Sequence, residues 1–146
     1  MPLTPKKPAR KKRFEFPVDG LPAGRLLADR LIIPMPIPPV VLRPNGQHGH
    51  WSVIRKAKKI AKSLALTRTL QALDGRPRPC AVAYTLSYYF AASTWDDDNA
   101  IASVKSYLDG IAKALGQDDR HFRFRELITA KDAKRPRLEI IIHLAL

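Results

Sequence analysis

In Cys80-Ala81-Val82-Ala83-Tyr84-Thr85-Leu86-Ser87-Tyr88-Tyr89-Phe90, every second residue from Val82 to Phe90 is large and apolar or aromatic. Period-two alternation of β-branched and aromatic residues is the pattern of a strand. The period then changes. From about Asp98 to Leu115, the residues Ile101, Val104, Leu108, Ile111 and Leu115 recur every three or four positions, as on one side of a helix. Gly116 follows as the residue that closes it. A strand leading into an amphipathic helix implies a core shared by sheet and helix.

Upstream, Leu31-Ile32-Ile33-Pro34-Met35-Pro36-Ile37 reads as an extended segment. Its prolines lack the N–H a ladder needs, which confines it to a sheet edge or a strand end. Pro38-Pro39 and Arg43-Pro44-Asn45-Gly46 mark a loop. From Ser52, a residue suited to cap a helix, to about Leu73 the pattern is helical. Ile54, Ala57, Ile60 or Ala61, Leu64 and Leu70 supply its apolar side, and Asp74-Gly75-Arg76-Pro77 ends it. Downstream, His121 to Ile128 alternates again, and a polar turn containing Lys131-Asp132-Ala133-Lys134 leads to a last strand, Leu138 to Leu146. The order strand, helix, strand, helix, strand, strand predicts a single α+β or α/β domain, a small mixed sheet packed with two main helices.

The 146 residues have room for one such domain and a tail. Residues 1–30 read as a basic arm: Lys6, Lys7, Arg10, Lys11, Lys12 and Arg13 precede the first acid, Glu15, and prolines interrupt the run. Such a segment buries too little apolar surface to offset its ordering entropy. The domain proper then spans 31–146. Lys and Arg outnumber Asp and Glu by 26 to 13, and a net charge of +13 favours a polyanionic partner, nucleic acid before an acidic membrane surface. Cys80 is the sole cysteine, so no internal disulfide forms. The apolar run from Leu31 to Leu42 carries four prolines and falls short of the roughly 20 residues that span a bilayer. The first residues lack the apolar stretch of a secretory signal, which makes a soluble intracellular protein the expectation.

The acids are unevenly distributed. Asp96, Asp97, Asp98, Asp109, Asp118 and Asp119 are six of the 13. A protein that only holds phosphates gains nothing from carboxylates there, because they repel the ligand. One that cuts a phosphodiester needs them: hard oxygen donors hold Mg²⁺ or Mn²⁺, which activates water and stabilises the leaving oxygen. Asp96 and Asp98, two apart in an extended segment, point to the same side. Along the helix, Asp98, Ala102, Lys105 and Asp109 share one face, which turns Lys105 back toward the carboxylates, where it can steady a phosphate. The plainer reading makes Asp98 a cap, Asp96 and Asp97 its dipole-favourable neighbours and Asp118-Asp119 a turn.

These residues carry a resemblance. Trp95-Asp96-Asp97-Asp98-Asn99, then Lys105 with Asp109-Gly110-Ile111, then Gly116-Gln117-Asp118-Asp119, resemble the RusA family of Holliday junction resolvases. Pro38-Pro39 through Pro44-Asn45 and His50-Trp51 resemble the family's first loop and helix, and Arg137-Leu138-Glu139-Ile140 its final strand, so the likeness covers about Leu31 to Leu146. It implies an α+β homodimer that cleaves four-way junctions with Mg²⁺, in the cytoplasm of a bacterial or phage-infected cell. The essential acids map to Asp96, Asp98 and Asp119, with Asp118 as a supporting ligand, and the active-site lysine to Lys105. Counted from Asp96, the family's lysine falls one turn sooner, at Ala102; counted from Asp109, Lys105 fits. A two-fold dimer also suits a junction, which has approximate two-fold symmetry and needs two matched cuts.

The helix that begins near Ser52 presents Arg55, Lys56, Lys58, Lys59 and Lys62 as one ridge suited to DNA phosphates. His48-x-His50 lacks the companions of a zinc site, and His50 is assigned to a loop contact with DNA. No phosphate-cradling glycine loop marks an NTPase.

Overall fold

The strand read from alternation forms as Ala81–Phe90, and it is central rather than peripheral. The computed structural model describes residues 14–44, 50–92 and 94–146. Within them the chain forms β1 (Arg25–Leu26), β2 (Arg30–Met35), a 3-10 turn (Val40–Leu42), α1 (Trp51–Leu73) and β3 (Ala81–Phe90). It continues through α2 (Asp97–Ala102), α3 (Lys105–Leu115), a second 3-10 turn (Asp119–His121), β4 (Arg123–Lys131) and β5 (Arg137–Leu144). The five strands make one mixed sheet in the order β1-β2-β5-β3-β4, with β3 and β4 parallel and the other pairs antiparallel. The protein is a single α+β domain with two main helices, the second of them broken into α2 and α3.

Rows of apolar side chains cross the sheet. Ile33 pairs with Ile140 and that with Leu86; Met35 pairs with Leu138 and that with Tyr88. All six are buried, and they meet the helices in one core. Cross-strand rows of this kind are the unit by which a sheet face is stabilised. Pro34 sits in β2 without cost for the reason its sequence suggests. Its carbonyl accepts from Arg68 Nε at 2.7 Å, and Pro34 lies beyond the Leu31-Ile32 stretch that β1 pairs while standing opposite Glu139 of β5 on the other side.

α1 begins one residue before the expected cap. His50, not Ser52, caps it: the imidazole Nδ1 accepts from the Ser52 backbone N–H at 3.2 Å and bonds its hydroxyl at 2.7 Å. The buried side is the expected one in part: Ala57 and Ala61 are buried and Leu64 packs against the core. Ile60 and Leu70 are exposed, whereas Ala57, Ala61, Ala65, Thr69 and Ala72 form the buried stripe. Small residues win because α3 crosses here at close range. A Cβ on Gly110 would run into the Lys62 carbonyl and sit 3.0 Å from the Ala65 Cβ.

The helix expected to run unbroken from Asp98 to Leu115 starts at Asp97 and breaks at Ser103-Val104. The Ala100 carbonyl, which a continuous helix would give to the Val104 N–H, instead accepts from the buried Tyr88 hydroxyl at 2.7 Å. A tertiary hydrogen bond thus replaces a helical one. Part of the segment read as an arm also belongs to the domain. Phe16 stacks edge-on with Tyr107 at 6.3 Å, Pro22 accepts from Arg68, and Arg25-Leu26 is β1. Residues 1–13 lie outside the described residues.

Candidate active site

Lys105 is the first residue of α3, and Asp109 stands one turn further on the same face, so the two pair at 2.8 Å. Gly116, at φ 68°, turns the chain out of α3. The next side chain then behaves like a strand residue. Gln117 Oε1 accepts from the Ala81 N–H at 2.7 Å, and its Nε2 donates to the Ala81 carbonyl at 3.2 Å. This clamp fixes the turn against the start of β3 and brings Asp119 back over α3, where Lys105 Nζ donates to its carboxylate. Hydrogen bonds from Lys105 to Asp109 and Asp119 raise its pKa above the ordinary lysine value, so it stays an ammonium.

Tyr84 of β3 borders the group closely enough for the charges of Lys105 and Asp119 to act on its phenol, although burial is the larger influence and raises its pKa. The sequence marks Tyr84 only as strand packing; nothing local to it signals partners on α3 and the turn beyond. Asp118 has a different employment. It caps the second 3-10 turn, accepting from the Arg120 N–H at 3.0 Å, and pairs with the Arg120 guanidinium at 2.8 Å. Those bonds to Arg120 hold its pKa down to about 2.

The other acids stand at the start of α2. Asp96 occupies the N-cap position without a side-chain capping bond, and Asp97 and Asp98 lie in the first turn, all three exposed. With Asp97 already helical, Asp96 and Asp98 do not share one side of an extended segment. Their loop is anchored by Trp95, which packs against Tyr88 and Phe90 at 6.1 and 6.0 Å and lies under the Arg43 guanidinium, 3.6 Å from the ring centroid.

The structure therefore gathers Lys105, Asp109 and Asp119, and among the described residues no ion pair joins Asp96 or Asp98 to them. Oxygen donors of this type suit Mg²⁺ chemically. Among the described residues no group of three or more His, Cys, Asp or Glu side chains is assembled around one ion position. Lys105 is the cation that Asp109 and Asp119 share.

The basic ridge is where the sequence puts it. Arg55, Lys56, Lys58, Lys59 and Lys62 are all exposed on α1. Lys58 lines one groove with Lys105 and Asp109, and Lys62 lines another with Asp109, Asp118 and Asp119. His50 is exposed at the helix cap, with Trp51 beside it at 60% exposure. His48 lies outside the described residues. Among the described residues no helix is long and apolar enough to cross a membrane.

No protein-family model matches the chain. A protein of Xylella fastidiosa (strain Temecula1 / ATCC 700964), described as an uncharacterized protein, is 39% identical over 98 residues. The match takes in 64% of this chain and 63% of that protein, so the chain spans somewhat under two thirds of its relative. No solved structure matches.

Proposed function

We propose that the chain is a RusA-type endodeoxyribonuclease, a homodimer that makes paired symmetric cuts in four-way DNA junctions during recombination and repair, with Mg²⁺ or Mn²⁺ as cofactor. One observation carries the reading. Lys58 and Lys62, one turn apart on α1, each line a groove in which Asp109 also stands. A strand drawn to the ridge by its phosphates is thereby delivered beside Lys105, Asp109 and Asp119. Carboxylates bordering a phosphate track oppose binding and suit cleavage.

Asp96, Asp98, Asp119 and Lys105 are assigned to the reaction, with Asp118 behind them. Lys105 keeps its proton and neutralises Asp119; a strand phosphate that engaged its ammonium would loosen that pair and free the carboxylate. The site is placed in the cytoplasm of a bacterial or phage-infected cell.

A second reading is favoured by the ion pairs themselves. Lys105 already neutralises Asp109 and Asp119, and Arg120 neutralises Asp118, as in a nucleic-acid-binding protein with a structural acid cluster. Incubation of a four-way junction with Mg²⁺ separates the two. Wild type is expected to nick opposed strands symmetrically, while Asp98→Asn and Asp119→Asn bind as well or better and leave the junction uncut. Equal cutting by the variants overturns the site assignment. Binding that weakens steeply with salt, with no product from wild type, establishes the second reading instead.

A further inference from the structure

A cavity of about 450 Å³ opens between the Val40–Leu42 turn, α1 and the junction of α2 with α3. Val41, Leu42, Ile54 and Ala102 give it an apolar wall. Its charged members are Arg43, Lys58 and the Lys105–Asp109 pair. Lys105 is neutralised within the protein, but no described carboxylate pairs with Arg43 or Lys58, so the cavity carries surplus positive charge.

Arg43 is the telling residue. Its guanidinium lies over the Trp95 ring, and among the described residues its buried Nε has no hydrogen-bond partner. A buried N–H with no acceptor is costly, and natural structures rarely tolerate one without a reason. A planar guanidinium stacked on Trp95 can offer its terminal N–H groups to the oxygens of a phosphate, and Lys58 adds a point charge. Burial also lowers the Arg43 pKa from its ordinary value, as expected for a cation lacking its counter-ion. The volume falls within the roughly 300–1,000 Å³ of small-ligand sites, which exceeds the needs of a lone ion and suits a sugar or base on the apolar wall.

We infer that this cavity receives one nucleotide of a DNA strand, its phosphate held by Arg43 and Lys58 and its sugar or base on the Val41–Leu42–Ile54 side. The inference rests on the reading of the chain as a DNA-cutting protein, and it adds a strand-positioning site that the basic ridge alone does not provide.

The test is equilibrium binding of a fluorescent four-way junction to the full chain in EDTA, across a salt series. Arg43→Met keeps an unbranched side chain on Trp95 and removes the charge; Lys58→Met changes an exposed helical position; Lys134→Met, in the β4–β5 turn, is the control. Each cavity variant is expected to bind about tenfold more weakly. Each should also lower the slope of log affinity against log salt by about one, the signature of a lost phosphate contact, with the control unchanged. A 5′-phosphorylated dinucleotide should bind wild type more tightly than its unphosphorylated form, and Arg43→Met should erase that difference. Wild-type affinity and slope in both folded variants, checked by circular dichroism, overturn the proposal. Cleavage by wild type with those unchanged slopes leaves the nuclease standing and the cavity refuted. Lowered slopes in a wild type that cuts nothing do the reverse.

Discussion

The two ends of the acidic island are built differently. On α3 and in the turn that follows it, Asp109, Asp118 and Asp119 are each held by a cation, and Gln117 pins the turn to Ala81. At the amino end of α2, Asp96, Asp97 and Asp98 are exposed, and no described cation pairs with them. The first group owes its arrangement to tertiary contacts; the second owes it to a loop and a six-residue helix. One end is ion-paired within the protein and the other stands in solvent at a helix start. A site drawn from both needs a cation to join them, and the proposed Mg²⁺ or Mn²⁺ is the charge that would do so.

The contrast predicts unequal sensitivity. Gly110→Ala pushes α3 away from the Lys62 carbonyl and the Ala65 methyl, so overpacking should cost about 1–3 kcal/mol, read as a lower urea midpoint. Asp97→Ala, at the exposed end, should stay within about 0.5 kcal/mol. Similar losses from the two would erase the distinction.

A smaller effect sharpens it. Lys105 is the internal cation of the α3 cluster, so Lys105→Met should tighten Mn²⁺ binding by about tenfold in a calorimetric titration. An unchanged affinity would show that the ammonium does not compete for these carboxylates. The smallest effect concerns Asp118. Its folded pKa of about 2 lies below the ordinary aspartate value of 3.8, so its stabilising contribution is complete above 3.8 and fades as pH falls toward 2. Wild type should therefore lose slightly more stability than Asp118→Asn between pH 4 and pH 2 in parallel thermal melts.

Much of the fold is legible along the chain. Alternation marks β3, the 3.6-residue stripe of Val104, Leu108, Ile111 and Leu115 marks the second helix, and Gly116 marks its end; these are local signals, and the structure keeps them. The break at Ser103-Val104 is not legible, because its cause is a hydroxyl on a distant strand. The alanine stripe of α1 is legible only in part, Ala57 and Ala61 being expected on the apolar side and Ala65, Thr69 and Ala72 not. Larger residues such as Ile60 and Leu70 look like the better core, until Gly110 shows that the facing helix comes too close for them. In the candidate site, Lys105 with Asp109 follows from helical spacing, whereas the return of Asp119 depends on the Gln117 clamp.

By itself, the sequence determined the basic character of the chain, the order of its principal strands and helices, the ridge on α1 and the presence of an acidic island among cations. Charge, period and capping chemistry are properties of neighbours in the chain. Only the tertiary structure decided which acids meet, that Lys105 stands between two of them, and that Arg43 is stacked on Trp95 beside a cavity. Those outcomes depend on distances between segments far apart in sequence, set by how closely α3 can approach α1 and where β3 receives the turn.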